Sequence, residues 1–214
     1  LENSCYWLQK AYSDRLIRSW SLDLIQNLPS SNLDLWAIDL EKALTFKPPH
    51  ISIYDLNIED GTVFQRMIEI GKIALLNDEE SFQNSKLTNS ILRKSGFSRY
   101  EISNYSIPGH QSRHNRVYWK GIGWWSFGQG STSAPWGIKF TRPRISQDYK
   151  QWVTSQCDEG LEYSLVNKSI PYLDLDEKIM LGMRLKEGVN LKRLFVEQGW
   201  DAEKTKTYLN QLLD

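Results

Sequence analysis

Apolar and polar positions alternate along the chain in stretches whose lengths predict strands and helices. A short apolar strand is predicted at residues 22–25 and a second at residues 51–56. Between them, polar cap residues, one apolar helical face and a proline pair follow in order: Ser30, Ser31 and Asn32, then Leu33, Trp36, Leu40 and Leu44, then Pro48 and Pro49. A strand, a helix and a strand of these lengths predict a right-handed crossover between parallel strands.

The alternation continues through the first half of the chain. Residues 11–20 are predicted to be the tail of a helix that leads almost directly into the first strand. Asn77 is predicted to cap a helix at about residues 78–94, which has acidic residues in its first turn and Gly96 beyond its end. A third strand is predicted at residues 99–103. These elements indicate an α/β fold.

The second half is predicted to be mainly helical, after a stretch with little periodicity at residues 104–144. One helix is predicted to begin near Ser146 and to end near Gly160, and three more to occupy residues 176–186, 191–198 and 202–213. We therefore expect two domains, at residues 1–145 and 146–214.

Charge is distributed unevenly along this chain, whose formal net charge is +0. Between Ile102 and Gln147 there is no aspartate or glutamate. The same segment holds six basic residues and four of the nine tryptophans: Arg113, Arg116, Lys120, Lys139, Arg142, Arg144, Trp119, Trp124, Trp125 and Trp136. Aromatic faces offer stacking area and arginines bind carboxylates or phosphates, so the segment predicts a flat, apolar and anionic partner. The alternative is that single tryptophans, such as Trp124 and Trp136, only fill a core.

This segment also contains two of the three histidines, His110 and His114. Residues four apart share a helix face, whereas Pro108 and Gly109 indicate a turn at this point. A single histidine is often only a hydrogen-bonding residue. An imidazole beside tyrosine and tryptophan, with arginines available for propionates, nevertheless has the parts of a haem or porphyrin site. Both interpretations are open.

Several motifs along the chain match those of a known family. They are YEISNY at residues 100–105, PGH at 108–110, RHNRVYW at 113–119 and FGQG at 127–130, with further matches at 21–25, 48–56, 141–144 and 181–188. With these motifs the chain resembles the HemW-type proteins, radical-SAM relatives of oxygen-independent coproporphyrinogen III oxidase. The His-Asn-x-x-Tyr-Trp motif is the part of the sequence that resembles HemW-type proteins rather than the oxidase itself. Asn27 departs from the family, which usually has glycine there.

The resemblance implies a fold and a set of site residues. The fold is a partial radical-SAM (β/α) barrel, about its last strands, followed by a small, mostly helical, winged-helix-like C-terminal region. Haem binding is implied for residues 100–145, with His114 as the leading candidate for the haem-iron ligand and His110 as the alternative. The other residues implied at the haem site are Asn115, Tyr118, Trp119, Arg113 and Arg116, with Arg142 and Arg144 as further partners for propionates.

The resemblance also implies contacts with S-adenosylmethionine from Asp23 and Asn57. The alternative for Asp23 is that it is buried and only satisfies loop amides. The family uses a 4Fe-4S cluster held by Cys-x3-Cys-x2-Cys, but this sequence contains only Cys5 and Cys157. Two distant thiols cannot supply three ligands, so we expect no iron-sulfur site and no coproporphyrinogen dehydrogenase-like activity by this chain alone. We expect it to be a C-terminal portion, with a complementary N-terminal radical-SAM half as its partner.

Three functions compete. The first is haem or porphyrin binding and haem delivery, the second is a part of the oxidase in porphyrin biosynthesis, and the third is a non-catalytic remnant or interaction module. The last predicted helices mix acidic and basic residues without a basic stripe, which argues against nucleic-acid binding. The longest uncharged run, residues 121–138, is interrupted by glycines and prolines, so no membrane span is predicted. The few cysteines predict a cytoplasmic protein.

Overall fold

The computed structural model describes residues 1–135, 138–159, 170–171, 174–197 and 199–211. The chain divides into two compact units, Leu1–Ser112 and Arg113–Asp214. The division into domains after residue 145 stays a prediction. The predictions for Trp136, for Gly160 and for helix ends at residues 198 and 213 lie outside the described residues.

The first unit contains a four-stranded sheet and four helices. In chain order they are α1 (Glu2–Ser13), β1 (Ser21–Gln26), α2 (Leu33–Thr45), β2 (His50–Asp55), α3 (Val63–Glu69), α4 (Asp78–Lys94), β3 (Ser98–Arg99) and β4 (Asn104–Ser106). The sheet order is β1-β2-β4-β3. β1 and β2 are parallel, as predicted, and their register places Ser21 opposite His50 and Gln26 opposite Asp55.

The core of the first unit lies between this sheet and helices α2 and α4. Asn32 caps α2, because its Oδ1 accepts a hydrogen bond from the Leu35 N–H at 2.9 Å. The buried apolar residues of this core are Trp36, Leu40, Ile51, Ile53, Leu92, Phe97 and Tyr105. Leu33, predicted on the same helical face as Trp36 and Leu40, is exposed at the first residue of the helix.

Helix α4 begins where the sequence predicts. The Asn77 side chain accepts a hydrogen bond from the Glu80 N–H, and the Glu80 side chain accepts one from the Asn77 N–H, both at 2.9 Å. This capping box satisfies two backbone donors at the helix start. The helix ends at Lys94, two residues before Gly96, and both predicted limits are confirmed.

The prediction of one strand at residues 99–103 is wrong. The chain instead forms β3 and β4, and β4 is antiparallel to β2, with Asn104 opposite Ser52. The reason is a reversal between the two strands. Arg99 Nε donates to the carbonyl of Glu101 at 3.2 Å, and Glu101 Oε1 accepts from the Ser103 N–H at 3.0 Å. Side chains thus satisfy backbone groups that a strand would have paired.

In the first unit one predicted helix ends earlier than expected, and one helix was not predicted. The predicted helix tail at residues 11–20 ends at Ser13, and the chain turns at Arg15, whose φ is +59°. Helix α3 was not predicted, although Val63, Phe64, Met67 and Ile68 have helical spacing; none of its residues is buried. Thr62 caps α3 by accepting a hydrogen bond from the Gln65 N–H at 3.2 Å.

The second unit is mainly helical. Its elements are α5 (Arg113–Trp119), β5 (Thr132–Ser133), β6 (Ile138–Thr141), α6 (Ser146–Glu159), β7 (Ile170–Pro171), α7 (Leu175–Gly182), α8 (Leu191–Glu197) and α9 (Ala202–Gln211). The strands form an antiparallel sheet in the order β5-β6-β7. Helix α7 ends four residues before the predicted Lys186. At Gly182 a Cβ atom would lie only 2.9 Å from Val189 Cβ, so the returning chain packs where the helix stops.

No helix in the described parts of the chain combines the length and the apolar character that crossing a membrane requires.

Candidate functional site

One face of the sheet in the first unit carries a chain of hydrogen bonds. Ser21 Oγ donates to Asp23 Oδ1 at 3.0 Å and lies 2.8 Å from His50 Nδ1. Across the imidazole, His50 Nε2 lies 2.7 Å from the Tyr100 hydroxyl, which accepts a hydrogen bond from the Ser112 N–H at 3.1 Å. The bonds are mutually consistent when the Tyr100 hydroxyl donates to Nε2 and Nδ1–H donates to Ser21.

Burial favours the neutral form of His50 that this chain of hydrogen bonds requires. Removal from water lowers the pKa of His50, the nearby Asp23 carboxylate opposes that shift, and His110 adds to it. Sequence reasoning missed His50 and Tyr100 as members of a polar cluster. The signal was the alternation of Ser21 with Asp23 and of His50 with Ser52, which places all four on one face of two paired strands.

The two residues implied for S-adenosylmethionine lie at different levels of the sheet. Asp23 is exposed in the middle of β1, so the alternative of a buried Asp23 that satisfies loop amides is wrong. The strand register places Asp23 opposite Ser52, five residues before Asn57. Asn57 is exposed beyond the end of β2. The two side chains are therefore separated along the strand direction.

The carboxyl ends of β1 and β2 are joined by amide and carboxylate groups. Gln26 Nε2 and Asn27 Nδ2 both donate to Asp55 Oδ1, at 2.8 and 2.6 Å, and Asn84 Nδ2 donates to Asn27 Oδ1 at 2.9 Å. Asn27 has a φ of +63°, in the left-handed region that glycine adopts freely and asparagine tolerates. This conformation explains why glycine and asparagine are both suited to the position.

His110 is held by hydrogen bonds on both sides of its ring. Its Nδ1 lies 3.0 Å from Ser19 Oγ and its Nε2 lies 3.3 Å from the Tyr12 hydroxyl. Both partners belong to the first unit, as does His110 itself. It precedes α5, after the turn at Pro108 and Gly109, so it does not share a helix face with His114.

His114 lies on α5 and is exposed. Its ring meets the Tyr118 ring edge to face, with centroids 5.0 Å apart, and Tyr118 in turn meets Trp124 at 4.7 Å. No hydrogen bond to the His114 ring is found among the described residues. The aromatic row supports one side of the imidazole and leaves its nitrogens accessible to a ligand.

Apart from Arg113, the other motif residues of α5 are partly buried. Arg116 forms an ion pair with Glu187, and the Arg184 guanidinium lies 5.0 Å from the centre of the Trp119 ring. Although burial raises the pKa of the Glu187 carboxyl, hydrogen bonds and the charges of Arg116 and Lys120 hold it below its usual value. Asn115 is half-buried on the same helix.

The arginines proposed for propionates fall into two groups. Arg113 and Arg144 are exposed. Arg142 is only 5% exposed, and its guanidinium lies 5.2 Å from the centre of the Phe140 ring and 5.3 Å from that of Trp152. It donates to Ser133 Oγ at 2.8 Å, and burial lowers its pKa. Arg142 is therefore a packing residue in this structure, and its prediction as a propionate partner is wrong.

The residues present do not fit an iron-sulfur cluster. The chain contains two cysteines, and Cys5 is buried in the apolar core with Trp20 and Leu22. Across the described ranges, no group of three or more histidine, cysteine, aspartate or glutamate side chains is arranged to hold a metal ion.

Comparisons with known proteins identify relatives across most of the chain. Over 178 residues, the chain is 41% identical to a protein of Synechocystis sp. named heme chaperone HemW. The aligned region makes up 83% of this chain and 43% of that relative. The chain is 27% identical over 194 residues to the HemW of Lactococcus lactis, covering 91% and 49%. The chain thus spans somewhat less than half the length of these curated relatives. No protein-family model matches it.

The fold is similar to that of coproporphyrinogen III oxidase (HemN) from Escherichia coli, a radical-SAM enzyme. The TM-score is 0.66 at 15% sequence identity, over 94% of this chain and 48% of the enzyme. This likeness confirms the partial radical-SAM fold. The similarity to HemW proteins and this fold together make the chain, over the region that it spans, a member of the HemW-type radical-SAM proteins.

Proposed function

We propose that this chain binds haem or a related porphyrin through α5 and takes part in haem delivery, with His114 as the ligand of the iron. The observation that carries this proposal is the contrast between the two histidines. His114 is exposed and its ring nitrogens face no described partner, whereas both nitrogens of His110 are engaged. Haem iron is commonly held by a histidine nitrogen.

The neighbours of His114 support this role. Tyr118 contacts the imidazole edge to face and fixes its orientation. Arg113 is exposed one residue before His114, where its guanidinium is available to a propionate. Arg116 is paired with Glu187, so a propionate would have to compete with that carboxylate. Asn115 and Trp119 are included in the proposed haem site on the resemblance alone.

The test is a ferric haem titration of the purified chain followed in the Soret region. A saturable shift is expected for the parent chain and for His110→Ala, and its loss is expected for His114→Ala. Far-UV circular dichroism checks that each variant is folded. A shift that survives His114→Ala but is lost in His110→Ala would overturn the assignment of the ligand.

Delivery requires that bound haem be released to an acceptor. An iron ligand on an exposed helix surface suits transfer better than one in an enclosed pocket. We expect the haem-loaded chain to pass its haem to an apo-globin, which absorbance follows over time. Haem retained by the chain in the presence of excess apo-globin would contradict a role in delivery.

The alternative is that the chain is one part of a coproporphyrinogen III oxidase, and it is proposed only with a partner. S-adenosylmethionine contact at Asp23 and Asn57 rests on the resemblance, and the exposure of both side chains supports it. A complementary N-terminal half would have to supply the cluster cysteines. Equilibrium dialysis with S-adenosylmethionine tests the contact: binding by the chain that is equal in Asp23→Asn would contradict it.

A further inference from the structure

A cavity of about 560 Å³ lies beside Trp119 in the second unit. It is bounded by the end of α5, the residues that follow it, α7 and α8. Its volume falls within the range of ordinary small-molecule sites, about 300–1,000 Å³. The apolar part of its lining is Trp119, Ile122, Leu185, Val189 and Leu194.

The charged part of the lining holds three cationic side chains, Lys120, Lys178 and Arg193, and two carboxylates, Glu187 and Glu197. Of its two carboxylates, Glu197 accepts a hydrogen bond from Arg193 at 2.8 Å and Glu187 pairs with Arg116. Lys120 and Lys178 also line the cavity; no ion pair of either lysine is found within the described residues, although the charge of Lys120 also acts on the Glu187 carboxylate. Two ammonium groups are thus available at the rim of an apolar space.

This cavity is distinct from the position of His114. Trp119 follows His114 by five residues on the same helix, which turns it by about 140° around the helix axis. The row formed by His114 and Tyr118 therefore does not point to the same side as Trp119. Among the described residues that line the cavity there is no histidine, cysteine or methionine, so they offer no soft or imidazole ligand to a metal.

We propose that this cavity binds a flat apolar molecule that carries two carboxylates, without coordinating a metal. Trp119 would stack on the flat body, and Lys120 and Lys178 would each pair with one carboxylate. A porphyrin has this chemistry, and the choice of a porphyrin as the occupant rests on the proposed function. Because no histidine, cysteine or methionine is among the described lining residues, we expect iron-free porphyrin to bind as well as haem does.

The experiment is a titration of the full chain with iron-free protoporphyrin IX, followed by quenching of tryptophan fluorescence. The double variant Lys120→Ala/Lys178→Ala is expected to bind at least about tenfold more weakly, since each lysine makes one charge-assisted hydrogen bond. The matched control is Lys150→Ala/Lys186→Ala, which also removes two lysine charges, from exposed residues outside the cavity lining. Equal affinity in the parent chain and the double variant would overturn the proposal.

Two further arms separate this proposal from the function proposed above. His114→Ala is expected to keep the affinity for protoporphyrin IX, and an equal loss in both variants would overturn the separate cavity. If haem gives no Soret shift while lysine-dependent protoporphyrin binding persists, the iron-ligand assignment fails and the cavity stands. Competition by palmitate distinguishes the shape of the ligand: efficient displacement by this linear carboxylate would overturn the flat occupant.

Discussion

The three histidines of this chain show how neighbours decide what an imidazole can do. His50 is buried and lies between a serine and a tyrosine, His110 is held by hydroxyl groups on both sides, and His114 is exposed against an aromatic ring. Only the last has ring nitrogens without a described partner. The surroundings of each imidazole, and not the residue type, therefore distinguish the structural roles of His50 and His110 from the proposed role of His114 as a haem-iron ligand.

The lowered pKa of His50 predicts a loss of stability in mild acid. In the unfolded chain a histidine has a pKa of about 6.5, so below that pH the unfolded state binds a proton that the folded state excludes. The contribution of His50 is therefore complete above pH 6.5 and is lost as the pH falls toward the folded pKa. Urea unfolding at pH 7.5 and 5.5 should show a smaller pH dependence in His50→Gln than in the parent chain.

His110→Gln is the control for this measurement, because it removes a histidine that is also hydrogen-bonded and whose charge is the smallest of the three influences on the pKa of His50. It should keep most of the pH dependence of the parent chain. The same pH dependence in the parent and in His50→Gln would show that burial of His50 does not couple its protonation to folding.

At the scale of single elements, helix starts depend on a few side chains close in sequence. Asn32, Asn77 and Asp174 each accept a hydrogen bond from a backbone N–H three residues ahead. In α4 and α7 the third helical residue, a glutamate, completes a capping box. Such bonds form within one turn, so they require no knowledge of the tertiary structure.

Replacing Asn77 with alanine should destabilise the first unit by about 1 kcal/mol, because the Glu80 N–H at the start of α4 loses the side-chain acceptor of Asn77. Asn77→Asp keeps an acceptor at the cap and should be nearly neutral. Equilibrium urea unfolding of both variants measures the difference. Equal stability of Asn77→Ala and the parent chain would mean that packing of Leu92 and its neighbours alone defines the helix.

The sequence predicts elements well where their signals are local, and less well where distant contacts decide. The crossover β1-α2-β2 and helix α4 follow from apolar periodicity and caps. The reversal between β3 and β4 depends on Arg99 and Glu101 bonding to nearby backbone groups, which periodicity does not report. At the candidate site, the motif predicted His114 and Trp119, but only the structure shows that they face different sides of α5 and that Arg142 is buried.

At the scale of the whole molecule, the sheet of the first unit presents an edge. β1 is the outer strand of the described sheet and pairs with β2 alone. Ile25 on this strand is 48% exposed, and the register places it opposite Tyr54, which is exposed as well. An edge strand with exposed apolar side chains is a template for pairing with another chain.

We expect Ile25→Lys to reduce self-association of the purified chain, because a charge on an edge strand disfavours strand pairing. Ile38→Lys is the matched control, since Ile38 is 59% exposed on helix α2 and away from the edge. Light scattering over a concentration series measures the effect. If both variants reduce association equally, general surface hydrophobicity rather than the edge of β1 is the cause.

The burial of Arg142 has a consequence for how the second unit responds to dissolved ions. Its guanidinium lies 5.2 to 6.0 Å from the centres of the Phe140, Trp152 and Trp125 rings, where it serves as packing. Salt screens charges in contact with water, as in the pair of Arg116 with Glu187, and acts much less on buried ones. Rising ionic strength should weaken that surface pair and leave the ring cluster assembled. The packing of these rings around Arg142 should therefore be the same at low and at high ionic strength.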